Sequence, residues 1–391
     1  MVLTKTSQEN KVVQLLSDLI SIESVNPIFD KQSKGEGDIS DFIENYCTRL
    51  GLRVSRQEVL PGRDNVLIEL CVPGATRTLL FESHMDTVAL EPAGKEALKP
   101  KLIDRKLYGR GACDDKGSLA SMMLAMESLV ERQRELKVNV TLLASVDEEY
   151  KFRGILAFIN KKIPIQGAVV GEPTRLRPVI AHTGVIRWRL STKGRSAHGS
   201  CPEKGENAIL QMAKVLRALD KFQLSLKSHT HPLVGNPTIN VGKIWGGVGV
   251  NCVPDNCFIE VERRLIPGEK GILAQREITD LLTNLCVNNP ELNIENEKPF
   301  VTTPTLSTPH DSLIVKAVKK SCNAIQIDNK LTGVRYGSDA SKLWAFGKIP
   351  SVVLGPGSIS QAHSCEEYVS IDQLVTAIQV YVHTALYFSD Q

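Results

Sequence analysis

Three apolar, strand-like runs in the first half of this chain stop on the same kind of residue, and that repetition limits what the chain can fold into. Leu79-Leu80-Phe81 runs into Glu82-Ser83-His84-Met85-Asp86. The alternating Val138, Val140, Leu142, Ala144 and Val146 end on Asp147-Glu148-Glu149, and Ala168-Val169-Val170 leads to Gly171-Glu172-Pro173. Asp114-Asp115-Lys116-Gly117 adds a fourth cluster after a glycine-containing loop, and His363 follows Gly355-Pro356-Gly357 near the end. Buried strands that end on imidazoles and carboxylates suit an α/β layout, in which sites gather at the carboxyl ends of sheet strands. Residues this far apart in sequence meet only at the mouth of such a sheet. Imidazole and carboxylate oxygen are what one or two zinc-like cations accept, so the series points to a hydrolase that activates water with metal.

The length of 391 residues exceeds one ordinary core and allows two domains. With 47 basic against 44 acidic residues the net charge is only +3, which gives no reason to expect nucleic acid or a membrane surface as partner. No apolar run reaches transmembrane length, and Met1-Val2-Leu3-Thr4-Lys5 carries no secretory stretch. The nine cysteines form no close CxxC pair, so reduced thiols and a cytoplasmic setting are expected. Up to residue 182 apolar-periodic helices alternate with strands, as in the helix carrying Leu119, Met122, Met123, Met126 and Leu129. From Thr183 the pattern changes to strand, helix, two strands, helix, strand, the βαββαβ signature of a ferredoxin-like α+β domain. Helical and strand patterns of the first kind resume after it. The expected organisation is a catalytic α/β domain made from residues 1–182 and 298–391, interrupted by a smaller domain over 183–297.

At the site, His84 and Asp86 are spaced so that the imidazole can take metal while the carboxylate hydrogen-bonds its other ring nitrogen. Of the adjacent Asp114 and Asp115, the first is placed to bridge two cations and the second to complement a helix amino terminus. Neighbouring glutamates point different ways, so Glu149 is assigned to metal and Glu148 to the general base that takes a proton from water.

This ordered series resembles the dinuclear zinc aminoacylase and carboxypeptidase family, which includes acetylornithine deacetylase and succinyl-diaminopimelate desuccinylase, and the resemblance covers nearly the whole chain. It implies a zinc-hydrolase catalytic domain, a mixed sheet with helices on both faces, carrying an inserted ferredoxin-like lid that also makes a homodimer contact. Carried over by motif, one zinc takes His84 and Glu172, the other Glu149 and His363, and Asp114 bridges them, with cobalt as the other candidate metal. Asp86 orients His84, and Glu148 assists attack of a zinc-bridging water and then protonates the leaving amine. Ser196-Ala197-His198 is similar to the motif whose histidine steadies the oxyanion. Asn251 and Arg264 match positions that contact substrate, and Gly337-Ser338-Asp339 matches the loop that binds its carboxylate. Leu354-Gly355-Pro356-Gly357 through His363 is more similar to acetylornithine deacetylases than to carboxypeptidases. The implied activity is hydrolysis of the amide of a small-molecule N-acyl amino acid. The alternatives are a dipeptidase or carboxypeptidase of the same family, or a desuccinylase. Two places depart from the family's pattern: Tyr150-Lys151-Phe152-Arg153 stand where relatives place small residues, and Cys365 stands where acetylornithine deacetylases have proline.

Overall fold

A computed structural model describes residues 5–389, so residues 1–4, read above for a secretory stretch, lie outside it. The chain forms two compact units. The first holds the described residues up to Ile180 together with Thr308–Thr332 and the residues from Ser338 onward.

A mixed sheet forms the centre of this first unit. Six of its nine strands run as neighbours in the order Arg53–Leu60, Arg63–Leu70, Asn139–Ser145, Thr78–His84, Gly167–Val170, Ser351–Val353. The first two pairings are antiparallel and the remaining three parallel. Parallel strands covered on both sides read as continuous apolar runs, and Gly167–Val170 is buried at every position while Thr78–His84 is buried from Leu79 onward. The register sets His84 against Ser145 and Glu82 against Val170. Three strand ends therefore lie side by side, and the chain leaves them through His84, Glu148-Glu149 and Glu172. Helix Lys116–Glu131 is almost wholly buried, so Met122, Met123 and Met126 are core, as helical spacing implies.

The strand Arg53–Leu60 carries little sequence signal, because it sits at the sheet edge with no buried residue. Two short helices, Arg153–Asn160 and Ala340–Gly347, also escape a periodicity reading at eight residues each.

The second unit comprises Ala181–Ser307 and Gly333–Gly337. Strand Gly184–Lys193, helix Ala208–Ser225, strands Thr238–Gly246 and Asn256–Leu265, helix Gly271–Val287 and strand Ile294–Asn296 follow in the order βαββαβ. The antiparallel sheet runs Thr238–Gly246, Asn256–Leu265, Gly184–Lys193, Ile294–Asn296, which is the ferredoxin-like arrangement. Burial alternates strictly along Asn256–Leu265, and its inward residues join Trp188, Leu190, Met212, Val215 and Ile278 in one core. The division differs from the pattern reading in three places, since residues 181–182, 298–307 and 333–337, given there to the catalytic part, belong to the second unit. Val301–Thr303 pairs with Arg187, Ile186 and Val185, continuing along the same strand edge that Ile294–Asn296 occupies at Leu190 to Thr192. Ladder hydrogen bonds thus hold this segment in the inserted unit.

Among the described residues no helix is long and apolar enough to cross a membrane, and none of the nine cysteines is in a disulfide.

Candidate metal centre

Asp114 sits between two histidines. Its Oδ1 lies 3.1 Å from His84 Nε2 and its Oδ2 lies 3.1 Å from His363 Nε2. Each histidine has carboxylates of its own: His84 groups with Glu148 and Glu172, and His363 with Glu149, whose Oε1 is 2.9 Å from His363 Nε2. The chain thus brings together, from five separate segments, all five residues assigned to metal. The two groups, His84 with Glu148 and Glu172 and His363 with Asp114 and Glu149, meet at the Asp114 carboxylate.

The electrostatics fit cations. Burial opposes charge on Asp114, yet bonds from His363 and His84 hold its carboxyl well below the usual range. Bonds from the Asp114 and Glu149 carboxylates push the half-exposed His363 up to about 10. Burial pushes Glu148 up to about 8, and burial together with the charge of Asp114 raises Glu172 far above an ordinary glutamate. Carboxylates crowded out of water this way are costly without a compensating positive charge. Two imidazoles with carboxylate oxygens are a donor set for zinc or a similar borderline ion, so the residues present fit two such ions.

Of the two glutamates, Glu149 is bonded to His363, while the Glu148 carboxylate has no hydrogen-bonding partner among the described residues. Asp86 holds this pair in place differently from the expectation. His84 Nδ1 bonds the Asp86 backbone carbonyl at 2.8 Å, whereas the Asp86 carboxylate is 3.7 Å from that nitrogen. The carboxylate instead accepts the backbone N–H groups of Glu148 at 3.0 Å and Glu149 at 3.1 Å, and the Asn26 amide at 2.8 Å. Asp86 therefore reaches both halves of the site, through its carbonyl to His84 and through its side chain to the glutamates. Asp115 stands at the N-cap of helix Lys116–Glu131, as expected, but makes no side-chain capping hydrogen bond. Its carboxyl is fully buried, accepts the Ser83 hydroxyl at 2.5 Å, and is pushed by burial up to about 8.

Asp147 has a positional role. Arg153 grips its carboxylate at 2.6 and 2.9 Å, Arg63 adds a contact at 3.3 Å, and its own N–H bonds Glu36 at 3.0 Å. These partners hold Asp147 at a φ of 66°, a left-handed conformation that costs about 1–3 kcal/mol and turns the chain sharply into Glu148. The Arg153 departure thus has a use. Sequence reasoning missed Glu36, Arg63 and Asn26, which lie 60 to 121 residues from the groups they hold. Gly154 follows at the start of the next helix, where an added Cβ would stand 2.3 Å from the Val146 carbonyl oxygen and 2.6 Å from its nitrogen. Backbone atoms cannot give way easily, so Gly154→Ala should lower stability by at least the ~1–3 kcal/mol typical of overpacking. Chemical denaturation of the two proteins checks this, and equal midpoints would refute it.

Cys113 lies next to Asp114 but is buried, its Sγ 3.4 Å from the Ser358 carbonyl, and burial pushes the thiol far up. It is a packed thiol and no nucleophile.

The remaining expected residues lie mainly in the second unit. His198 and Asn251 are brought together there, because Ala197–His198 pairs with Cys252–Val253 and the Asn251 carbonyl accepts the Gly199 N–H at 2.7 Å. His198 is exposed, with Nδ1 2.7 Å from the Ser200 hydroxyl. Arg263 turns into the unit to pair with Glu269 at 2.8 Å, which leaves Arg264 on the opposite face, bonded to Glu262 at 2.7 Å. The chain passes from the second unit to the first between Gly337 and Ser338, and Ser338 is buried with its carbonyl accepting the Lys342 ammonium at 3.0 Å.

A model of the peptidase family M20/M25/M40 matches residues 80–387. An acetylornithine deacetylase of Buchnera aphidicola subsp. Acyrthosiphon pisum is 29% identical over 365 residues, which cover 92% of each chain. Among solved structures, the aminopeptidase PepT of Bacillus cereus superposes with a TM-score of 0.79 at 23% identity, covering 97% of this chain and 98% of that one. A dinuclear metal-binding M20 peptidase of Bacillus subtilis superposes at 0.74 with 14% identity, covering 98% and 99%.

Proposed function

The chain belongs to peptidase family M20/M25/M40, and from its paired centre we propose that it hydrolyses the amide of an N-acyl amino acid, as an acetylornithine deacetylase does. One observation carries the metal part of the proposal: a single carboxylate, Asp114, offers each of its oxygens to a different histidine at 3.1 Å. The substrate part rests on curated relatives named acetylornithine deacetylase that match 92% of both chains.

In this proposal His84 and Glu172 hold one zinc, Glu149 and His363 the other, and Asp114 both, with cobalt able to serve in their place. When bound, the ions supply a water of lowered pKa and polarise the amide carbonyl. Glu148, free of other bonds, accepts the proton of the attacking water and returns it to the leaving amine. Its backbone is held by Asp86, so the carboxylate is aimed before substrate arrives. His198 is assigned to the oxyanion and Asn251, Arg264, Gly337 and Ser338 to substrate binding.

Release of free amine tests the proposal. Zinc-loaded protein would be given N-acetylornithine, N-acetylcitrulline, N-succinyl-diaminopimelate, N-acetyl aliphatic amino acids and dipeptides. Turnover of an N-acetyl amino acid supports the deacylase and names its substrate. Turnover of dipeptides alone moves the protein to the peptidase branch, and turnover of the succinyl compound alone to the desuccinylase. Removing the metal should abolish activity and lower the melting temperature, since zinc at about 1,000 times its Kd adds about 4 kcal/mol to the folded state. Scanning calorimetry before and after dialysis against a chelator, then after refilling, checks this. A melting temperature that ignores the chelator speaks against resident cations.

We also propose a homodimer through the inserted unit, in a reducing cytoplasm that suits nine unpaired thiols. Strand Thr238–Gly246 is an edge of that unit's sheet and carries exposed Ile244 and Trp245, with exposed Val248 and Val250 beyond it. Such an edge is a template for a second copy, and light scattering reads the mass directly.

A further inference from the structure

Glu367 is buried yet belongs to neither ligand set, and the groups around it share one target. Strand Tyr368–Ser370 pairs antiparallel with Lys106–Tyr108, so Tyr368 faces Tyr108 and the Glu367 carbonyl accepts the Gly109 N–H at 3.0 Å. This ladder sets the Glu367 side chain against the loop that continues through Arg110 to Asp114. Its Oε1 accepts the N–H groups of Cys113 at 2.9 Å and Asp114 at 3.0 Å. Its Oε2 accepts the Gly111 N–H at 3.0 Å and the Arg110 guanidinium at 2.7 Å. A carboxylate has about four lone-pair sites, and all four are engaged. Arg110 is buried too and is anchored in turn, its Nε bonding the Ala89 carbonyl at 3.0 Å.

We infer that the buried Glu367–Arg110 pair is the positioning device for the bridging carboxylate, clamping the backbone of Asp114 and, through the same short segment, tying it to His363. His363 stands four residues before Glu367, so one stretch of chain grips Asp114 twice: at its carboxylate through His363, 3.1 Å away, and at its N–H through Glu367. The bridge must present two oxygens to two separate ligand sets. A rotation of its backbone would therefore spoil both at once. Charge matters as well as shape. Three N–H groups and a guanidinium converge here, and a neutral amide in place of the carboxylate offers one acceptor and a donor pair. Either orientation of that amide sets its NH₂ against donors.

The inference rests on the two-cation reading, and the experiment separates the two. Wild-type protein and Glu367→Gln are stripped of metal and titrated with Zn²⁺ against a chromophoric chelator. The spin coupling of two bound Co²⁺ ions is then recorded for each. The expected result is a folded variant with about 10–100-fold weaker binding, the range typical when an outer partner of a metal ligand is removed. Spin coupling should weaken and kcat should fall, with KM unchanged. A merely structural role would lower the melting temperature without moving the coupling or splitting kcat from KM. A folded variant that binds two Zn²⁺ with wild-type affinity and coupling overturns the inference. Wild-type protein that takes up fewer than two ions overturns the underlying reading instead. Should Glu367→Gln not fold, Arg110→Gln keeps the three backbone bonds and is expected to lose affinity in the same direction by a smaller factor. Unchanged affinity and coupling in that variant also overturn the proposal.

Discussion

Glu148→Gln is expected to lower kcat by about 10²–10⁴-fold, the contribution of a well-placed general base, while two zinc equivalents stay bound and KM holds. The expectation comes from a difference between two adjacent side chains. Glu149 is tied to His363 at 2.9 Å, and Glu148 has no hydrogen-bonding partner for its carboxylate among the described residues. Both backbone N–H groups are held by the same Asp86 carboxylate, so the variant should keep the backbone geometry and lose only the proton acceptor. Steady-state kinetics on whichever amide proves to be the substrate, beside metal analysis of the same sample, makes the measurement. A different result is informative. Glu148 groups with His84 and Glu172 closely enough to ligate, so a variant that drops one zinc would make Glu148 a ligand and leave the base to be found elsewhere.

Asp114→Asn should cost more metal affinity than any outer partner, beyond about 100-fold, and should remove essentially all activity. The reason is its shared position. The aspartate offers one oxygen to the side of His84 and the other to the side of His363. Asparagine keeps the shape and one oxygen but turns a donor toward the second ion and removes the charge. Both affinities should fall together, and calorimetric titration of stripped protein would show it. Two sites filled with wild-type affinity would mean that the ions, if present, are not bridged through this residue.

Much of this centre was legible before any fold was known. The strands leading to His84, Glu148 and Glu172 carry apolar residues in runs or in alternation, and an ionisable group at the end of a buried strand is a strong signal because burial without a partner is costly. The inserted unit was legible as well, since Asn256–Leu265 alternates with the period of a strand packed on one face. Other parts carried no such mark. Arg53–Leu60 has no buried residue, so its pairing with Arg63–Leu70 left no apolar pattern behind. Glu367 looks like one of two exposed acids in Cys365-Glu366-Glu367 until the ladder at Tyr368 turns it inward, to 3% exposure. Arg153 read as a bulky departure from the family, and its purpose appears only with Asp147 beside it at 2.6 Å.

The sequence by itself determined the chemistry of the site and the order of its parts: which residue types end which strands, and where a second unit interrupts the first. Those are local properties, set by side-chain type and by the periods of strand and helix. Tertiary structure alone decided what each of several neighbouring carboxylates faces. Asp114 and Asp115 are adjacent, as are Asp147, Glu148 and Glu149, and nothing in their chemistry separates them. The fold points Asp114 at two histidines and buries Asp115 against Ser83. It hands Asp147 to Arg153, ties Glu149 to His363 and leaves the Glu148 carboxylate without a hydrogen-bonding partner among the described residues. A carboxylate's role follows from what faces it within a few ångströms, and those partners come from parts of the chain that only folding brings near.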